Sequence, residues 1–189
     1  MLLRATAPQE LWEELRVSGF VPVDFEVAFG DGQQMAAIEI PGGAMEAQLR
    51  GFVDRVDAWN NGYTNYFRVV DYKTGKKVFS RADLQYGLNM QMLIYLYATL
   101  KSERFADKIP AGVLYLETGK KVDEEKNFVM NGLLSQNTAV HDEIHTCQHR
   151  KNNNQNDEGF ILLHIAYLLR RLRHTSAPQI IIAIQKIMG

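Results

Sequence analysis

From Val21 the chain alternates β-branched or aromatic residues with polar ones in "VPVDFEVAFGDGQQMAAIEIPGG", and the "GDG" and "PGG" turn signals divide this run into two strands. The alternation continues in "AMEAQLRGFVDRVDAW" and "TNYFRVVDYKTG" on either side of "NNGY", whose Asn-Gly step predicts an antiparallel hairpin. The period then changes. In "SRADLQYGLNMQMLIYLYATLK", Leu84, Leu88, Gln91 and Tyr95 fall at i, i+4, i+7 and i+11, a helical stripe. Ser80 and Asp83 suit its capped start, and Gly87 divides it, so that the longer helix runs from about Leu88 to Lys101. Pro110 opens "PAGVLYLE", a compact apolar run that predicts a buried strand, and upstream "ATAPQELWEELRVSGF" predicts a weak helix ending near Gly19. Strands, helices and a further strand predict an α/β (α+β) domain, a mixed sheet flanked by helices.

Length and composition set the scale of that domain: 189 residues with 46% hydrophobic content bury one main core with a small appendage. The asparagine-rich "HRKNNNQNDEG" reads as a polar linker, placing a boundary near residue 148. Beyond it, "FILLHIAYLLRRLRH" predicts a helix with a basic end, while "PQIIIAIQKIMG" has no decisive period. With 21 Lys and Arg against 22 Asp and Glu, the net charge is -1, so no global positive field advertises a polyanion partner. Any nucleic-acid contact is local or shared with another chain. Cys147, the only cysteine, excludes an internal disulfide framework and points to the cytoplasm. The longest apolar stretch, "FILLHIAYLL", falls short of the ~20 residues a membrane span needs, and no membrane partner is expected.

The chemistry concentrates in "RGFVDRVDAWNNGYTNYFRVVDYKTGKK". Strand alternation puts Phe67, Val69, Asp71 and Lys73 on one side of their strand, and Phe52, Asp54 and Val56 on one side of the preceding strand. A hairpin in suitable register would bring Asp54 and Asp71 together. Two close carboxylates repel unless a proton or a divalent cation compensates. A few hard oxygen ligands, with positions left for water and phosphate, describe a Mg²⁺ or Mn²⁺ site for phosphodiester cleavage. Lys73 would orient the attacking water or offset charge developing on the phosphorane. The competing reading is a solvated face with modest ion pairs, in which Arg50, Arg55 and Arg68 neutralise Asp54, Asp57 and Asp71 without a metal.

"GFVDRVD", "VVDYKTGKK" and "GLNMQMLIYLYA", in this order, resemble the PD-(D/E)XK nuclease domains of the RecB/AddB type. "VDFEVAFG" before them and "FVMNGLLSQNTAVHDEI" after them resemble the AddB/RexB branch in particular, and the resemblance runs from about Val21 to Ile144. It implies a restriction-endonuclease-like fold. It also implies that Asp54 and Asp71 are metal ligands aided by the Tyr72 carbonyl, that Lys73 is the catalytic lysine, and that Gln91 and Tyr95 contact DNA or support the metal site. The implied protein is a Mg²⁺- or Mn²⁺-dependent deoxyribonuclease, an exonuclease that acts on single-stranded DNA delivered by a helicase subunit in double-strand-break repair and recombination. A domain fed by a motor has no need of a basic surface to capture DNA unaided. Two other readings stand beside it: a binding or scaffold module that keeps the nuclease fold without turnover, and an autonomous RecB-like exonuclease.

The chain departs from the family pattern in two places. The metal-ligating histidine expected upstream of the strands is missing, since His141, His145, His149, His164 and His174 all follow the core. The resemblance therefore implies a chain that begins past that helix, with weakened metal affinity; Glu26 is a possible substitute, but a structural role is preferred. The family's iron-sulfur cluster takes four cysteines, so Cys147 alone supports none. Zinc at His141, His145, Cys147 and His149 is disfavoured against an ordinary, metal-free role for these residues. "TGKK", at 74–77 and again at 118–121, lacks the spacing of a nucleotide-binding loop, and no ATPase is expected. Trp12, Trp59 and "YLYA" could stack on bases, but core packing is the commoner use of such aromatics.

Overall fold

The alternating segments form strands β1 (Val21–Phe29), β2 (Ile38–Ile40), β3 (Ala47–Leu49), β4 (Gly51–Asn60) and β5 (Asn65–Lys73) in a computed structural model. It describes residues 15–16, 18–40, 47–75, 77, 90–117, 130–135, 137–149 and 160–163. Helix α1 (Gln91–Lys101) follows, then a 3-10 turn (Glu103–Phe105), β6 (Ile109–Glu117), β7 (Asn131–Ser135), α2 (Thr138–His149) and β8 (Phe160–Leu163). The expected helix start at Ser80 to Leu88 lies outside the described residues, as does most of the N-terminal helix, of which Leu15 and Arg16 are helical.

The hairpin forms where the Asn-Gly step predicts it. Asn60 Oδ1 accepts from the Gly62 amide at 2.6 Å, and Asn61 Oδ1 accepts from the amides of Tyr63 and Thr64 at 3.0 and 2.8 Å. Gly62 sits at φ 91°, a backbone state that glycine adopts without steric cost. β4 and β5 are consequently locked antiparallel, with Ala58 opposite Phe67 and Val56 opposite Val69. One expected strand is split. The chain breaks at Arg50, so that β3 pairs with β2 in a separate two-stranded ribbon while β4 pairs with β1.

Six strands form a mixed sheet in the order β1-β4-β5-β6-β7-β8, with β5–β6 and β7–β8 parallel and the other pairs antiparallel. A parallel pair needs a crossover, and the crossover from β5 to β6 carries α1, which packs on both strands. Residues Tyr66 to Asp71 are buried without interruption because β5 is covered on both faces. On the α1 side Phe67, Val69, Val113 and Tyr115 pack with Met92, Leu93 and Leu96. On the other side Tyr66, Val70, Leu114 and Leu134 pack with Phe20, Val140 and Ile144 of the α2 layer. This is the mixed sheet flanked by helices that the sequence predicts, consistent with a restriction-endonuclease-like fold.

Phe160–Leu163, expected to open a helix, is instead a strand parallel to β7. A short unbroken apolar run suits either element. Here the exposed ladder of β7 decides, because pairing satisfies backbone groups on both strands. Among the described residues, no helix is long and apolar enough to cross a membrane.

Candidate active site

The hairpin register that pairs Arg55 with Val70 places Asp54 opposite Asp71 one step further along. Asp54 Oδ2 accepts a hydrogen bond from the Tyr72 amide at 2.9 Å, which ties the carboxylate of β4 to the segment of β5 that carries Asp71 and Lys73. Lys73 Nζ lies 2.5 Å from Asp71 Oδ2 and donates to Gln91 Oε1 at 3.2 Å. Gln91 in turn donates through Nε2 to Tyr95 Oη at 2.7 Å. Asp54, Asp71, Tyr72, Lys73, Gln91 and Tyr95 thus form one contiguous network, drawn from two strands and the first turn and a half of α1.

Two supports of this network have no signal in the sequence. Tyr115, abreast of Asp71 in the parallel β5–β6 register, lies under Lys73 with the ammonium 5.7 Å from its ring centroid. Phe29 packs edge-on against Tyr95 at 6.0 Å. Gly51 is what lets it do so, because a Cβ there would stand 2.9 Å from Phe29 Cζ. Both contacts depend on pairings distant in the chain, which local pattern does not encode.

Of the three aspartates that the metal-free reading gave to arginines, Asp57 does take two, Arg55 and Arg68. Asp57, fully buried, is held by Arg55 (Nε to Oδ1, 2.7 Å; Nη2 to Oδ2, 2.8 Å) and by Arg68 (Nε to Oδ2, 2.8 Å). Strand alternation sends these side chains to the face opposite Asp54 and Asp71. Arg55 also donates to Tyr72 Oη at 3.3 Å. Two buried guanidiniums are therefore committed to Asp57, and Lys73 is the cation at Asp71. Burial pushes the Asp71 carboxyl above its ordinary range; the Lys73 ammonium pulls it down, and the charge on Asp54 pushes it up again. The Tyr115 phenol is pushed up to about 12, first by burial and then by the Asp71 charge, so it stays neutral beneath Lys73.

Two carboxylates on paired strands suit a small, hard divalent cation, since Mg²⁺ is held by one or two carboxylates and keeps several of its waters. Among the described residues no group of three or more His, Cys, Asp or Glu could hold a metal. Glu26 falls abreast of Asp54, between the Phe25–Arg55 and Val27–Val53 pairs, exposed and at φ 49°, the only positive value at a described non-glycine residue. It joins no such group. His141, His145, Cys147 and His149 have helical backbone in α2. Trp59 packs against Phe20 and Tyr66 at 5.4 and 5.3 Å, a core role; Trp12 and the second "TGKK" lie outside the described residues.

A sequence profile of the PD-(D/E)XK nuclease superfamily matches residues 1–178. The chain is 43% identical over 109 residues to an ATP-dependent helicase/deoxyribonuclease subunit of Clostridium novyi (strain NT), covering 56% of this chain and 10% of that protein. Its counterpart in Clostridioides difficile (strain 630) is 35% identical over 128 residues, or 65% of this chain and 11% of that protein. That of Acetivibrio thermocellus is 34% identical over 154 residues, or 70% and 13%. The chain spans roughly a tenth of the length of these relatives.

Proposed function

The chain belongs to the PD-(D/E)XK nuclease superfamily, and on that footing we propose that it is a Mg²⁺- or Mn²⁺-dependent deoxyribonuclease. Its substrate is single-stranded DNA, supplied by a helicase subunit during double-strand-break repair and recombination. The relatives named as helicase/deoxyribonuclease subunits support the partner and the substrate. A cytoplasmic location fits that role and the single cysteine.

The observation that carries the reading is the placement of Lys73, whose ammonium reaches both Asp71 and Gln91 while Asp54 is fixed on the facing strand. Asp54, Asp71 and the Tyr72 carbonyl are the groups that would hold the cation. When bound, it would polarise the phosphate and lower the pKa of a water. Lys73, oriented by Gln91 and by the Tyr115 ring, offsets the charge that develops as water attacks phosphorus and the bond to the leaving sugar oxygen breaks. Gln91 and Tyr95 keep the ammonium from collapsing wholly onto Asp71, so it remains available to the phosphate.

Cleavage of an end-labelled single-stranded oligonucleotide by the purified chain, with Mn²⁺ or Mg²⁺ and with chelator, tests this. Asp71→Ala and Lys73→Ala should each abolish cleavage; cleavage surviving both would overturn the assignment. A second reading, a nuclease-fold binding module without turnover, draws support from the lack of a third carboxylate or histidine grouped with the pair among the described residues. Mn²⁺ and DNA binding by the wild-type chain with no cleavage would favour it.

A further inference from the structure

Lys77 ends the first "TGKK" run, past the last residue of β5, and its backbone is tied down at both polar groups. Its amide donates to Glu117 Oε1 at 3.3 Å, and its carbonyl accepts from Asn131 Nδ2 at 2.7 Å. Glu117 ends β6 and Asn131 opens β7, so two further strands fix this one residue. Both side chains stand on the face of the sheet that carries the site. Glu117 comes two residues after Tyr115 and Asn131 two before Leu133, and Tyr115 and Leu133 pack in the cluster of α1. Glu117 is also abreast of Lys73 in the parallel β5–β6 register, one strand spacing of about 4.8 Å away.

A residue outside the ladder whose amide and carbonyl are both held by strand side chains is presented by the sheet, as binding loops are presented by a rigid scaffold. Among the described residues, Arg104 pairs with Asp24, Lys108 with Asp107, and Arg55 and Arg68 with Asp57, whereas no ion pair involves the half-buried Lys77. With a net charge of -1 the chain has no general field for a polyanion, which leaves the contact to single, placed cations. We propose that Lys77 binds a backbone phosphate of single-stranded DNA, one adjoining the phosphate at Asp54 and Asp71, and that Asn131 and Glu117 position it. This rests on the nuclease reading and adds a second phosphate contact to it. An ammonium is a point charge, so the contact sets where the strand lies without reading its bases.

The test measures, by fluorescence anisotropy without divalent cation, binding of the full chain to labelled oligothymidylate and oligodeoxyadenylate over a series of KCl concentrations. One phosphate contact to a single strand contributes about 0.7 to the slope of log affinity against log salt. Lys77→Gln, which keeps most of the stem and removes the charge, should lower the slope by about that amount and weaken both oligomers alike. Lys77→Arg should keep the slope, and circular dichroism should show both variants folded. Asn131→Ala frees the Lys77 carbonyl without changing charge; it should weaken binding in the wild-type background and have no further effect beside Lys77→Gln. The proposal is overturned if wild type binds neither oligomer, if Lys77→Gln leaves the slope unchanged, or if it weakens one oligomer only. An equal effect of Asn131→Ala in both backgrounds overturns the positioning role. Failure of the nuclease reading is separately visible, as cleavage that survives loss of Asp71 and Lys73.

Discussion

The Tyr72 amide donates to Asp54 Oδ2 at 2.9 Å, so the side chain of one strand is fixed by the backbone of the next. Among the described residues no salt bridge involves Asp54, so this amide orients it without a cationic partner there. Asp54→Asn keeps an oxygen acceptor for that amide and removes the charge. The variant should unfold at the same urea midpoint as wild type but bind Mn²⁺ at least about ten-fold more weakly by calorimetry, a loss of about 1.4 kcal/mol. Equal Mn²⁺ affinity would remove Asp54 from the cation site.

Asp71 makes stability depend on pH. Its folded pKa is raised, chiefly by burial, above the ordinary value of 3.8, so the folded chain holds the proton more tightly than the unfolded one. The stabilisation is full below that ordinary value and is lost as pH rises through the elevated one. At neutral pH the ionised carboxylate is therefore a cost. With chelator present, Asp71→Asn should raise the urea midpoint at pH 7 and confer little advantage at pH 3. An unchanged midpoint at pH 7 would mean that Lys73 already compensates the burial in full.

Gly51 carries a demand that reaches the site through Phe29 and Tyr95. A methyl at Gly51 would press on the Phe29 ring at 2.9 and 3.0 Å, and overpacking of this kind costs about 1–3 kcal/mol. Gly51→Ala should lower the thermal midpoint and should reduce cleavage per folded molecule, because Tyr95 orients Gln91. Phe29→Leu in the same chain should restore both. If cleavage falls only as far as the folded fraction does, the coupling to Gln91 is refuted.

Asp57 separates stability from chemistry. Removing it leaves Arg55 and Arg68 buried without their shared carboxylate, a loss of about 3–5 kcal/mol for a broken buried pair. Asp57→Ala should show that loss in urea unfolding. Asp57→Asn, which still accepts hydrogen bonds, should lose less. Were both variants as stable as wild type, the buried cluster would not be holding β4 to β5.

Much of this architecture is legible along the chain because its signals are local. The Asn-Gly step marks the hairpin, whereas its register is open in the sequence and comes from the structure, where the pairs run as far as Arg55 and Val70, one residue short of Asp54 and Asp71. Gln91 and Tyr95 lie one helical turn apart, so their pairing is also local. Lys73 to Gln91 is different in kind, resting on how α1 lies across the sheet, and here family resemblance supplied what periodicity did not. The placements of Tyr115 and Phe29 follow from pairings that no short window contains. Phe160–Leu163 misled for a related reason: an apolar tetrad has no period of its own, and an available neighbouring strand settled its conformation.

β1 is the outermost strand on its side of the sheet among the described residues, and its free edge is where an invading chain would add. Pro22 offers no amide to such an invader, and the register slips between Pro22 and Asp24, so the border lacks an even row of donors and acceptors. Val21 and Val23 can thus stay in water without seeding fibrils. A chain with that proline and that slip smoothed away would meet trouble in the test tube through clumping, well before any question of turnover arose.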